Sequence, residues 1–176
     1  MFDVLKIKAL RLLIRFLVPY NWRGKGETRL EVKNLSVDLG GHPIRLRVYT
    51  PQDAGAELLP VVLFFHGGGW AAGDLDSHDF FCRDVCVQAR HVVVAVDYRL
   101  RPEARFPDAA NDCIAALGWL RDHAAQLGAD ANKVTLCGDS AGGNLAAIVA
   151  QQARTLHPGL VKGQLLIYPA TDHHTG

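Results

Sequence analysis

The chain has 176 residues, enough for one domain with its own core or for part of a larger one. A chain 49% hydrophobic and 21% charged is globular rather than disordered or fibrous. Nineteen basic residues against eighteen acidic ones leave a net charge of +1, which removes the concentrated basic surface that nucleic acid or an acidic partner needs.

Cys82, Cys86, Cys113 and Cys137 form no CxxC, and no histidine cluster stands near them at zinc-ligand spacing. No metal and no organic cofactor is implied. Cys82 and Cys86 share one face of a helix, and Cys137 lies in an apolar run where a thiol acts as a small hydrophobe. Four reduced thiols suit a reducing compartment, and cytoplasmic is the expected location.

Phe2 to Tyr20 reads as a helix with Lys8, Arg11 and Arg15 on one narrow face and a broad apolar arc around the rest; Pro19 should stop it. Two readings stay open: a helix docked on the protein's own apolar surface, or an interfacial helix touching lipid. Its scattered charges fit neither a membrane span nor a signal peptide. Asn21 to Glu27, with Gly24 and Gly26, reads as a connector, so residues 1–27 form one unit and 28–176 the core.

From Leu30 the apolar period is two. Val32, Leu35 and Val37 lead to Gly40-Gly41, and Ile44, Leu46 and Val48 follow, which is a hairpin. After the polar loop Pro51 to Pro60, Val61 to Phe65 is a continuous apolar run, as in a strand buried on both faces. Ser77 to Arg90 reads as a helix and His91 to Val96 as a second buried strand. Pro107 to Leu127 is a long helix closed by Gly128, Val134 to Cys137 a third strand, Ser140 to Leu156 a helix, and Gln164 to Tyr168 a fourth strand. This alternation implies right-handed crossovers and a mostly parallel sheet covered on both faces.

Gly138-Asp139-Ser140-Ala141-Gly142 matches G-x-S-x-G between a strand and a small-residue helix. Its glycines permit a sharp strand-to-helix turn that lifts the serine hydroxyl out at the sheet's edge. The helix start places backbone N–H groups and a positive dipole end beside it. Ser140 is therefore the candidate nucleophile. His66-Gly67-Gly68-Gly69-Trp70 follows the strand Val61 to Phe65, and such glycines can aim bare N–H groups at a developing oxyanion. A dinucleotide loop fails on spacing, because Gly67, Gly69 and Gly73 give GxGxxxG with no helix opening on them. His66 reads as support for the loop, together with Gly67, rather than as a general base. His78, His91, His123 and His157 read as surface or satisfied structural residues.

HGGGW, DYRLRPEARFPDAANDC, GDSAGGNLA and LIYPATD, in that order between Val61 and Asp172, resemble the hormone-sensitive-lipase-like (GDXG) branch of the α/β-hydrolases. The resemblance implies an α/β-hydrolase fold and hydrolysis of small carboxylic esters with short to medium acyl chains through an acyl-serine. It implies Ser140 as nucleophile, with Gly68, Gly69 and Ala141 giving the oxyanion N–H groups. It also makes the N-terminal helix part of a cap. Arg101 and Cys137 depart from the usual residues of the branch without touching the chemistry.

In that branch the catalytic acid and histidine follow the serine on later loops, and the chain runs only 36 residues beyond Ser140. They are therefore expected to be absent, and Asp172, His173 and His174 are too close together to supply them. The sequence reads as a catalytically incomplete, truncated esterase or lipase whose strand Gln164 to Tyr168 is an apolar edge open to pairing. An amidase such as an arylformamidase, and a non-catalytic ligand-binding member of the fold, remain as alternatives.

Overall fold

The computed structural model describes residues 4–22 and 28–172. The connector glycines Gly24 and Gly26 and the histidine pair His173-His174 lie outside the described residues. Helix α1 spans Val4–Trp22, the hairpin strands β1 and β2 span Leu30–Asp38 and Pro43–Pro51, and β3 spans Leu59–Phe65. Helix α2 (Asp79–Gln88), β4 (Val92–Asp97), α3 (Asp108–His123), β5 (Ala129–Asp139), α4 (Ala141–Leu156) and β6 (Val161–Ile167) follow.

The strands form one sheet in the order β1-β2-β4-β3-β5-β6. β4, β3, β5 and β6 are parallel, and the hairpin adds two antiparallel strands at one edge. Helices cover both faces, which explains the continuous apolar runs. Val61, Leu63 and Phe65 of β3, with Val92, Val94 and Val96 of β4, pack under α3 and α4. Val62, Phe64, Val93 and Ala95 face the other way, against Cys82 and Cys86 of α2. A strand in the middle of such a sheet has no wet face on which to place polar residues.

The hairpin turns at Gly40 and Gly41, whose φ of 74° and 87° favour glycine, and the Leu39 N–H donates to His42 O at 2.9 Å. Helix α3 tightens into a short 3-10 turn over Ala124–Leu127, ended by Gly128 in the left-handed conformation. β6 pairs only with β5 among the described strands, and Leu165 and Leu166 on it, with Tyr168 just after it, are exposed.

Three expectations need correction. Pro19 does not stop α1, which continues to Trp22; the fixed φ of proline is compatible with a helix, and the bond it forfeits lies in the last turn. The helix expected from Ser77 begins at Asp79, because Asp74 and Ser77 bond each other in a turn. β5 begins five residues ahead of Val134: the polar run from Ala129 joins the ladder opposite Leu59. The described part of α1 docks less by its apolar arc than by one cation. Ile7 is buried, whereas Val4, Leu5, Leu10, Leu12 and Leu13 are exposed. Arg11 donates to Ala71 O at 2.7 Å, to Arg101 O, and to both Glu103 oxygens.

Candidate active site

Phe65 at the end of β3 pairs with Gly138 at the end of β5, so the loops leaving both strands emerge side by side. Ser140 stands between β5 and α4 with φ 50° and ψ −116°. A non-glycine residue at positive φ costs about 1–3 kcal/mol and persists only where its surroundings enforce it. Here the Ser140 N–H donates to Ile167 O at 2.9 Å, and Ser140 O accepts from Asn144 N and Ala170 N at 3.1 and 3.0 Å. The Asn144 amide in turn donates to Ala170 O at 2.8 Å. Gly142 lets α4 press on β3, since a Cβ there would run into the carbonyls of Phe65 and His66. As the first residue of α4, Ala141 presents an N–H with no intrahelical acceptor.

Gly68 and Gly69 have φ of 126° and 63°, and Gly68 O accepts from Ala71 and Ala72, closing the loop into a tight turn. Trp70 O accepts from Arg101 N at 2.8 Å. His66 is buried behind the loop and lies 4.4 Å from the Tyr98 ring, nearly parallel to it. Its Nδ1–H donates to Gly67 O at 2.8 Å, and the Tyr98 hydroxyl donates to His66 O at 2.5 Å. Burial pushes the His66 imidazole down, against the smaller effect of the Gly67 bond, and keeps it neutral. Among the described residues its Nε2 has no hydrogen-bond partner and no histidine bonds the Ser140 hydroxyl.

Asp139 links the two loops. Its Oδ1 accepts from Gly67 N at 2.8 Å and lies 3.2 Å from His78 Nε2. Burial opposes its charge, but the hydrogen bond from His78, that residue's charge and the Gly67 N–H outweigh it and hold the carboxyl below its usual value. Gly67 needs to be glycine because Asp139 fills the space of a Cβ. Cys137 is no rival nucleophile, since burial and the nearby Asp139 charge push its thiol up to about 12.

A cavity of ≈ 400 Å³ opens beside the glycine loop, lined by Phe64, Phe81, Ile167, Tyr168, His78 and Asp139. A second, of ≈ 320 Å³ and mostly apolar, lies beyond Trp70 against Leu145 and Ile148. Asp139, directly before Ser140, lines the first, and Asn144, four residues after it, lines the second. Among the described residues no helix is long and apolar enough to cross a membrane, and no three His, Cys, Asp or Glu residues are placed to hold a metal ion.

The profile of a family described as alpha/beta hydrolase fold matches residues 62–176. The chain belongs to the α/β-hydrolase fold family. Within it the motifs place the chain in the hormone-sensitive-lipase-like branch. It is 46% identical over 143 residues to "Esterase LipI" of Mycobacterium tuberculosis, covering 81% of this chain and 45% of that protein. It is 43% identical over 134 residues to "Ethyl acetate hydrolase" of Pseudomonas putida, covering 75% and 42%. The solved hyperthermophilic esterase of Pyrobaculum calidifontis superposes with a TM-score of 0.89 at 41% identity, covering 96% of this chain and 52% of its own. The chain thus spans about half the length of the relatives it matches.

The α/β-hydrolase sheet gathers all six residues singled out in the sequence, His66, Gly67, Gly68, Gly69, Ser140 and Ala141, at the ends of β3 and β5. Sequence reasoning missed two contributors. His78 is the satisfied structural kind rather than a surface residue, with its side chain 25% exposed and paired with Asp139, but its link to the elbow was not read from the sequence. Asn144 holds the strained turn from α4. A partly buried carboxylate directly before the elbow serine needs a partner, and that was the available signal for His78.

Proposed function

We propose that this chain carries the nucleophile and the oxyanion hole of a serine carboxylic ester hydrolase acting on small esters with short to medium acyl chains. Ser140 Oγ attacks the ester carbonyl, and the N–H groups of Gly68, Gly69 and Ala141 donate to the oxygen on which negative charge develops. His66 and Gly67 support that loop. The tetrahedral intermediate collapses with loss of the alcohol to an acyl-Ser140, which water then hydrolyses. A base must take the serine proton and return it to the alcohol. No described histidine bonds Ser140, and the relatives are about twice as long, so the base and its acid partner are assigned to chain beyond the described residues.

The observation that carries this reading is the strained Ser140 at the N-terminus of a 16-residue helix, bound to the glycine loop through the 2.8 Å Gly67–Asp139 bond. The ≈ 400 Å³ cavity has room for an acyl group, and the names of the relatives, esterase and ethyl acetate hydrolase, support small esters as substrates. Arg11 brings α1 against Ala71 of the loop, which suits residues 1–27 as a cap element beside a core of residues 28–176. Docking on the protein is preferred to lipid contact for that helix. The buried thiols suit the cytoplasm, and the open edge of β6 suits pairing with a further strand.

Treatment with a p-nitrophenyl alkylphosphonate in the presence of imidazole, which stands in for the base, followed by peptide mass spectrometry, tests the assignment. The expected adduct lies on Ser140 and disappears in Ser140→Ala. An adduct elsewhere, or one that survives the substitution, would refute it.

A further inference from the structure

One polar cluster at the site takes no part in the reaction described above: Ser77, His78 and Asp139. Residues 74–77 form a self-bonded turn, in which Ser77 Oγ accepts from Asp74 N at 2.9 Å and donates to Asp74 O at 2.7 Å, while Asp74 Oδ1 accepts from Ser77 N at 2.8 Å. Ser77 is buried, and its Oγ lies 2.9 Å from His78 Nδ1. The His78 ring sits 5.7 Å from Phe64 and 5.9 Å from His66, so packing as well as hydrogen bonding fixes it. Its other nitrogen, Nε2, stands 3.2 Å from Asp139 Oδ1, the same oxygen that takes the Gly67 N–H.

We propose that His78 is a positioning residue which, through Asp139, fixes Gly67 and thereby sets the direction of the Gly68 and Gly69 N–H groups. The catalytic consequence rests on the ester-hydrolase reading; the mechanical one does not. Asp139 is adjacent in sequence to Ser140 and bonded across the sheet to Gly67, so it is the direct polar link between the serine turn and the glycine loop. A carboxylate with Gly67 as its only donor can swing toward the adjoining cavity and leave a buried N–H unpaired. A second polar partner 3.2 Å away, on a ring packed against Phe64 and His66 and in contact with Ser77 Oγ, prevents this. Oxyanion donors act only within a narrow distance range, and displacement by about 1 Å costs on the order of a hundredfold in rate.

The test uses the whole 176-residue chain, with His78→Ala and His78→Gln, whose side-chain amide can replace the lost donor. Amide hydrogen exchange is read at Gly67, with Val62 and Val94 as controls for the intact sheet. In parallel the rate of Ser140 modification by the phosphonate, at a fixed imidazole concentration that supplies the base, is followed against reagent concentration. In His78→Ala, Gly67 exchange rises about tenfold with the controls unchanged, and the limiting modification rate falls about tenfold at an unaltered half-saturating concentration. His78→Gln recovers most of both. Gly67 exchange within twofold of wild type in His78→Ala, or a glutamine variant no better than alanine, would overturn the proposal. If Ser140 is unmodified even in the wild type, the ester-hydrolase reading fails, and Gly67 exchange still decides the role of His78.

Discussion

Gly142→Ala should show how closely α4 must approach β3 for the serine turn to form. The added methyl would meet the Phe65 carbonyl carbon and the His66 oxygen at 2.6 Å, and the Phe65 oxygen closer still. All three are backbone atoms of a strand end fixed on both sides by its neighbours β4 and β5, so no side chain can rotate away. Overpacking of one methyl into such a site costs about 2–3 kcal/mol, even after alanine's better helix propensity is credited. At this chain length that lowers the melting temperature by about 5–10 °C. Gly118→Ala, inside α3, is the matched control. Its methyl would rest at 3.4 Å from His157 Nε2, an ordinary contact. The same chemical change there should stabilise by about 0.5–1 kcal/mol and raise the melting temperature by about 1–4 °C. Thermal unfolding followed by far-UV circular dichroism reads both. Shifts of the same sign, or a Gly142→Ala protein melting within about 1 °C of wild type, would refute the close-approach argument.

Other outcomes follow from the same structure. Asp139 has a lowered pKa in the folded chain, so its contribution is complete above the ordinary aspartate value of 3.8. That contribution fades as pH falls below 3.8, and Gly67 exchange, corrected for intrinsic rates, should accelerate in acid while that of Val94 does not. In Asp139→Asn this acid dependence should be absent. Tyr98→Phe removes the donor to the His66 carbonyl in a buried site and should cost about 1–2 kcal/mol in urea denaturation, with an unchanged m-value. Arg11→Ala should speed proteolytic cleavage within α1 and leave the melting temperature within about 1 °C. Its Glu103 partner is exposed, and the described side chains of α1 bury little apolar surface beyond Ile7.

The layered fold was legible because both periodicities were clean. The run Val61 to Phe65 serves two cores at once, Leu63 toward α3 and α4 and Phe64 toward α2, and only a strand covered on both sides tolerates that pattern. The elbow and the glycine loop were legible because positive φ at Gly68 and Gly69, and the close approach of carbonyls at Gly142, leave few other residues possible. What escaped was set by partners distant in sequence. The polar stretch from Ala129 becomes strand only because Leu59 lies opposite. The apolar arc of α1 favoured docking on the protein, and among the described residues Arg11 adds polar bonds to the carbonyls of Ala71 and Arg101 that no periodicity reveals. His78 resembled any histidine ahead of a helix until the fold brought Asp139 to it.

The central proposal is that the described residues hold the serine and the oxyanion N–H groups of an ester hydrolase, with the base outside them. It is tested most directly by p-nitrophenyl butyrate hydrolysis, measured for the wild-type chain and Ser140→Ala with and without added imidazole. The expected result is no difference between the two proteins in buffer alone, and a Ser140-dependent rate that appears as imidazole substitutes for the missing base. Ser140-dependent turnover without imidazole would place the base within this chain. No Ser140-dependent rate under either condition, in folded protein, would remove Ser140 as the nucleophile.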